Sequence, residues 1–452
     1  MNVARYICLT LEDATAFPEI NLSPFLNKGR IRTSGKGAVV QAMKSGAMLK
    51  YTAFGLLLFT CAARCDWQFA QQAYQRGDYV TALQVWRALA DAGDSGAQYN
   101  AAIMLLDGLG QSRDPDAAID WLQRAASQAN VDALFCIGFL YAQGRDIPRD
   151  DRRAAEWYRR AAAKGHAGAQ FNLAMLYRYS PAAGSDDAEV LRLLQAAADQ
   201  GLAVAQYQLA EHYAQGYGVT RDINTANNWY RKAAIQQYAP AQRKMGLMFM
   251  NGSGAPKDAG MAARWLAKAA QQGDAEAQYY LGMMYRLGKG IGKDDALAAR
   301  WLNAAAWQGH ARAQYNLGLM YKEGAGVARD YRETARWYRA AAERGEPRAQ
   351  NSLGELYVNG QGVPQNYVMA HKWFNLAGAN GNEPGISNRD EIAKELTDKQ
   401  LAEAQALARG WHDRQVGPDA PEAAAFLDQD SAGYPGSSET GEQVTGTSRA
   451  DP

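Results

Sequence analysis

Four cysteines in 452 residues do not make a disulfide framework. No surplus of one charge is present either: 48 Lys and Arg against 47 Asp and Glu leave a net +1, so there is no bulk positive field to hold a nucleic acid. Apolar runs stay short of the ~18 residues that a membrane span requires. No His-Glu-x-x-His pair, no Gly-x-Ser-x-Gly elbow and no Gly-x-Gly-x-x-Gly loop after a strand occurs, which removes the commonest signatures of zinc, acyl-transfer and dinucleotide chemistry. With 47% of residues apolar, the chain is nonetheless too hydrophobic to be disordered throughout.

What is present is a period. Ala97, Ala133, Ala169, Ala205, Ala241, Ala277, Ala313 and Ala349 stand 36 residues apart with no insertion or deletion. At offset 24 from each comes Trp121, Trp157, Leu193, Trp229, Trp265, Trp301, Trp337 or Trp373. Self-similarity at this length means stacked supersecondary units that cannot bury their apolar faces alone.

Each unit reads as two helices. Apolar or small residues at offsets 0, 4, 5 and 8, as in Ala313, Leu317, Gly318 and Tyr321, mark one face of the first. A Gly-x-Gly pair such as Gly324 and Gly326 is expected to end it. Asp114, Asp150, Asp186, Asp222, Asp258, Asp294, Asp330 and Asn366 are placed to cap the second helix. That helix carries the tryptophan, which is expected to be buried, and then an Ala-Ala pair. The fold class is therefore all-α: an α/α superhelical solenoid of about eight 36-residue helix-turn-helix repeats with helical caps at both ends.

The expected organisation follows from that phase. Residues 66–94 form an opening helix pair, 95–381 the repeats, 382–412 a closing helix (the pattern runs from Asn388 to Trp411), and 413–452 a disordered tail rich in Gly, Ser, Pro and acid. Residues 43–65 have the layout of a secretory signal peptide: Lys44 and Lys50, an apolar stretch to Phe59, then Ala63 and Cys65 ahead of Asp66. Such a signal begins a chain, so translation is expected to start at Met43 or Met48 and residues 1–42 to be an over-called extension. Bulky Phe59 weighs against a lipoprotein signal at Cys61. Cleavage before Asp66 leaves Cys136 as the sole cysteine and places the protein in the periplasm or outside the cell; a start at Met1 leaves it in the cytoplasm.

The phrase Ala311-x-Ala-Gln-Tyr-Asn-Leu-Gly-Leu-Met-Tyr-x-x-Gly-x-Gly-Val-x-x-Asp330, followed by Trp337-Tyr338 and Ala341-Ala342, closely resembles the Sel-1-like repeat family, 36-residue relatives of tetratricopeptide repeats. The resemblance spans about 95–381 and implies an adaptor or scaffold for protein complexes, in bacteria often an exported one. A cysteine-rich subgroup linked to penicillin binding and weak β-lactamase activity is also known, but its paired cysteines are missing here.

Recurring residues need no functional explanation, so functional candidates are sought on the free face and among pattern-breakers. By analogy with tetratricopeptide repeats, offset 2 (Tyr99, Phe135, Phe171, Tyr207, Arg243, Tyr279, Tyr315) and offset 6 (Phe139, Met283, Leu319 among others) point into a concave groove, where aromatics would anchor a peptide or partner helix. The competing reading packs these side chains between adjacent first helices. Arg243 and Lys244, with Arg286, are expected to form a basic spot for a carboxylate. Trp307 lies outside the recurring slot and is expected to be exposed; with the ladder it suits stacking on sugars, so a cell-wall glycan-binding module or hydrolase is the alternative. His166 and His310 share a turn position, His212, His371 and His412 are scattered, and Cys136 reads as an inert packing thiol. No acid, base and nucleophile come together, and no cofactor or metal is implied. In the third repeat, Ser180-Pro181-Ala182 and Leu193 replace the usual Gly-x-Gly and Trp, and a weaker joint is expected there.

Overall fold

The structure, a computed structural model, describes residues 66–180 and 187–416. The signal-like segment, Pro181-Ala182 of the expected joint and nearly all of the acid-rich tail lie outside the described residues. All regular structure among the described residues is helical. Helix α1 covers 66–75 and pairs with α2 (Tyr79–Asp91). Three hairpins follow: α3 (Ser95–Asp107) with α4 (Pro115–Ser127), α5 (Val131–Gln143) with α6 (Asp151–Ala163), and α7 (Ala167–Tyr179) with α8 (Asp187–Asp199). Five more are α9 (Ala203–Gln215) with α10 (Ile223–Ile235), α11 (Ala239–Asn251) with α12 (Ala259–Gln271), α13 (Ala275–Leu287) with α14 (Asp295–Trp307), α15 (Ala311–Glu323) with α16 (Tyr331–Glu343), and α17 (Pro347–Asn359) with α18 (Tyr367–Ala379). The chain is thus an α/α repeat solenoid. It divides between Leu202 and Ala203 into two compact units, α1–α8 and the helices from α9 onward. None of the described helices is long and apolar enough to cross a membrane.

Helix boundaries follow side-chain chemistry. Asp114, Asp150, Asp222, Asp258, Asp294, Asp330 and Asn366 each accept a first-turn backbone N–H of the second helix, and Asp186 lies outside the described residues. The two glycines of the turn do different work. Gly324 ends α15 in the left-handed conformation at φ 74°, as expected. Gly326 instead lies against the start of the preceding repeat's second helix, where a Cβ would overlap the Asp295 carbonyl. The second glycine is therefore a point of close approach between repeats.

The core also departs from expectation. The recurring tryptophan is well buried only at Trp229, Trp337 and Trp373; Trp121, Trp157, Trp265 and Trp301 are half-exposed. Cations cover several of these rings, with Arg160 4.3 Å from the Trp157 centroid and Lys268 4.6 Å from that of Trp265. The large side chain of the second helix that is buried in every repeat is instead the next one, offset 25: Leu122, Tyr158, Leu194, Tyr230, Leu266, Leu302, Tyr338 and Phe374. Opposite it, offset 5 is always Ala or Gly, because the ring or branched chain lies directly on the first helix's backbone.

The closing segment is not one helix over 388–411. Helix α19 (Glu383–Ile392) runs into a 3-10 turn, Ala393–Glu395, and α20 (Asp398–Val416) starts afresh. The cause is a capping box: the Thr397 N–H donates to Gln400 Oε1 at 3.0 Å, and the Gln400 N–H donates to Thr397 Oγ1 at 3.4 Å. Helix α20 extends to Val416, past residue 413, the expected start of the tail.

Candidate interaction face

Most offset-2 and offset-6 residues of the first helices are only partly buried; Tyr99, Ile103 and Asn351 are the buried exceptions. In the unit up to Leu202, Tyr99 is buried, whereas Phe135, Phe139 and Phe171 are half-buried. Phe135 stacks on His166 of the following repeat, with ring centroids 4.5 Å apart, and leans on Tyr158 of its own second helix. In the unit from Ala203, Tyr207, Tyr279, Tyr315, Met283 and Leu319 are likewise half-buried. Tyr207 meets Tyr230 and Tyr238, both at 5.5 Å, Tyr279 stacks on His310 at 4.7 Å, and Tyr315 lies between Tyr338 and the Arg348 guanidinium. One side of each such ring is thus fixed by the hairpin and the next repeat.

The cationic pattern-breakers are already paired. Arg243 Nε lies 3.2 Å from an Asp274 carboxylate oxygen, and its guanidinium also meets Glu276. Lys244 pairs with Glu211 at 3.0 Å, and Arg286 with Glu323 at 2.8 Å. These three cations therefore do not form the free basic spot expected from sequence. Burial works against ionisation of Glu211, but hydrogen bonds from Tyr230 and Lys244 outweigh it and hold its carboxyl below the usual range.

Residues that break the pattern elsewhere are placed as follows. Trp307 is 65% exposed, edge-on to Trp337, with Arg336 5.1 Å from its ring centroid. Nδ1 of His166 and of His310 accepts a backbone N–H, from Ala169 and Ala313 respectively, so both are helix caps. His212 and His371 are buried on different helices. The Cys136 thiol is buried, and burial pushes its pKa up to about 12, which suppresses thiolate chemistry. Leu193 fills the tryptophan slot of the third repeat as a buried core residue. Among the described residues, no group of His, Cys, Asp and Glu could hold a metal ion.

Sequence reasoning missed a polar ladder. Gln98, Gln170, Gln242, Gln278, Gln314 and Gln350, at offset 1, donate from Nε2 to a carbonyl at the end of the previous hairpin's second helix, as Gln278 does to Ala270 O at 3.1 Å. Oε1 atoms at this offset accept from the residue 30 positions later: Gln98 from Gln128, Gln170 from Gln200, Gln206 from Gln236, Gln242 from Gln272, Gln278 from Gln308, and Gln350 from Asn380, at 2.7–3.0 Å. Gln98, Gln170, Gln242, Gln278 and Gln350 thus each join one hairpin to the end of another with both ends of the amide engaged. The available signal was joint loss: in the second repeat both partners change together, to Leu134 and Lys164.

The Sel1 repeat profile matches eight consecutive segments, from 95–130 to 347–382, each the length of one hairpin and its turns. A Sel1 repeat protein from Oxalobacter formigenes is 30% identical and covers 76% of this chain and 98% of its own, with a TM-score of 0.54. A protective antigen of uropathogenic Escherichia coli is 26% identical over 80% of this chain and 99% of its own, with a TM-score of 0.48. No curated protein matches the sequence. The phase of the eight matched segments coincides with the hairpins described above, and the chain belongs to the Sel1 repeat family.

Proposed function

We propose that this protein is a non-catalytic scaffold that captures a protein or peptide partner on the first-helix face of its repeats. Sel1 repeat proteins commonly mediate protein interactions. The observation that carries the reading here is the stripe of half-buried aromatics, among them Phe135, Phe171, Tyr207, Tyr279 and Tyr315, with Phe139, Met283 and Leu319 beside it. Rings already held by their neighbours and still partly exposed lose little entropy when a partner covers them. A partly exposed stripe of aromatic and aliphatic side chains supports recognition.

The test is crosslinked capture of partners from the native cell, comparing wild type with Tyr207→Ala/Tyr315→Ala. The double variant is expected to keep its helicity and lose the captured partner; undiminished capture would argue against the stripe. The signal-like pattern at 43–65 supports an envelope location, which intact mass of the native protein tests through the presence or absence of everything before Asp66.

A second reading, glycan binding, is favoured by one observation, the solvent-facing ring of Trp307. Sedimentation with peptidoglycan that is abolished by Trp307→Ala would support it, and unchanged sedimentation would remove it.

A further inference from the structure

Gln314 keeps the ladder position, but the residue 30 positions later is Arg344, not the Gln or Asn that serves every other ladder glutamine. The Gln314 Nε2 still donates to Ala306 O at 3.0 Å, while its buried Oε1 has no hydrogen-bond partner among the described residues. A buried, unsatisfied amide oxygen is a stability cost that the other ladder glutamines avoid, and such lapses are concentrated where function demands them.

The same substitution puts a guanidinium into an open cleft. Among the described residues Arg344 donates only to Ala340 O, at 3.2 Å, and it lines a cleft of about 460 Å³ with Arg312, His310, Glu276 and Glu346. A second cleft of about 520 Å³ shares Arg312 and Glu346 and continues to Tyr279 and Arg348. The acids of this region already have partners: Glu276 shares Arg243 with Asp274, and Glu346 pairs with Arg348 at 2.7 Å. No carboxylate pairs with Arg312 or Arg344 among the described residues. Arg312 and Arg344 therefore stand outside these ion pairs and leave the two clefts with one positive charge in surplus, with the half-buried ring of Tyr279 and Pro347 in their wall.

We propose that these joined clefts bind an acidic peptide segment of the partner, its carboxylates held by Arg312 and Arg344. The inference rests on the capture reading above and gives the partner its chemistry. Guanidinium forks match carboxylates in geometry, and two clefts that meet at Arg312, Glu346 and Pro347, with Tyr279 beside them, suit a peptide segment.

The test uses the full chain and a fluorescein-labelled poly-(Glu-Ala) peptide, with poly-(Gln-Ala) as its neutral counterpart, read by anisotropy at low salt. The glutamate peptide is expected to bind about tenfold more tightly than the glutamine peptide, and Arg312→Gln and Arg344→Gln each to weaken it roughly five- to tenfold. Arg344→Gln is at the same time expected to raise the thermal midpoint, since it supplies the missing donor to Gln314; a purely structural Arg344 would give that rise with affinity unchanged. No binding by wild type, equal binding of the two peptides, or wild-type affinity in Arg344→Gln overturns the proposal. So does inorganic phosphate competing better than free glutamate peptide, which would assign the clefts to a phosphate-bearing ligand. Loss of peptide binding in the arginine variants, with native capture intact in Tyr207→Ala/Tyr315→Ala, would sink the aromatic stripe alone.

Discussion

The ring of Tyr338 on α16 closes directly onto the bare Cα of Gly318 on α15, so that a Cβ at 318 would lie 2.7 Å from Tyr338 Cδ1. The ring is 1% exposed and is held between its own hairpin and the stacked ring of Tyr315, so it has nowhere to move. Gly318→Ala is therefore expected to destabilise the protein by about 1–3 kcal/mol through overpacking, even though alanine is the better helix former. Chemical denaturation checks this against Gly292→Ala, where a Cβ meets nothing within 4 Å. Equal midpoints for the two variants would mean that the hairpin relaxes freely at Tyr338.

The order of importance within the second helix is the reverse of what the tryptophan spacing suggests. Leu266 is fully buried, whereas the neighbouring Trp265 is half-exposed beneath Lys268. Leu266→Ala is expected to cost about 2–5 kcal/mol, and Trp265→Ala less, despite the larger side chain removed. Urea midpoints of the two single variants decide it; a larger loss for the tryptophan would restore that residue as the anchor of the repeat.

Why the fold was legible and parts of the face were not follows from the same residues. A strict 36-residue phase exposes anything local to a hairpin, so Asp294 as a cap and Gly324 as a stop could be read from position alone. Offset 25 escaped notice because its slot alternates between Leu, Tyr and Phe, which are chemically unlike but equally able to lie on a small residue at offset 5. The pairing of Arg243 with Asp274 and Glu276 joins residues more than 30 positions apart, and composition at one slot says nothing of the acid that faces it from the next repeat. The Gln314–Arg344 mismatch was visible in the sequence, but it acquires meaning only once the other ladder glutamines show what the slot is for.

Acid provides a last probe of how the repeats are held. His310 caps α15 through Nδ1, which accepts the Ala313 N–H at 3.1 Å, so the ring must be neutral. Burial lowers its pKa from the ordinary 6.5, and the charge on Arg312 pushes in the same direction. The folded state therefore binds fewer protons than the unfolded state at mildly acidic pH. The stabilisation is complete above the ordinary histidine value and is lost as pH falls from there through the lowered one. His310→Asn retains a cap, since Asn130 and Asn382 fill the equivalent position with the same hydrogen bond, but it has no proton to gain. Between about pH 7.5 and about pH 5, wild type is expected to lose more stability than His310→Asn. Denaturation of both proteins at the two pH values gives the difference, and every other titrating group cancels in the comparison. Parallel losses in the two proteins would show that the imidazole stays a competent cap throughout, with its protonation uncoupled from the stack.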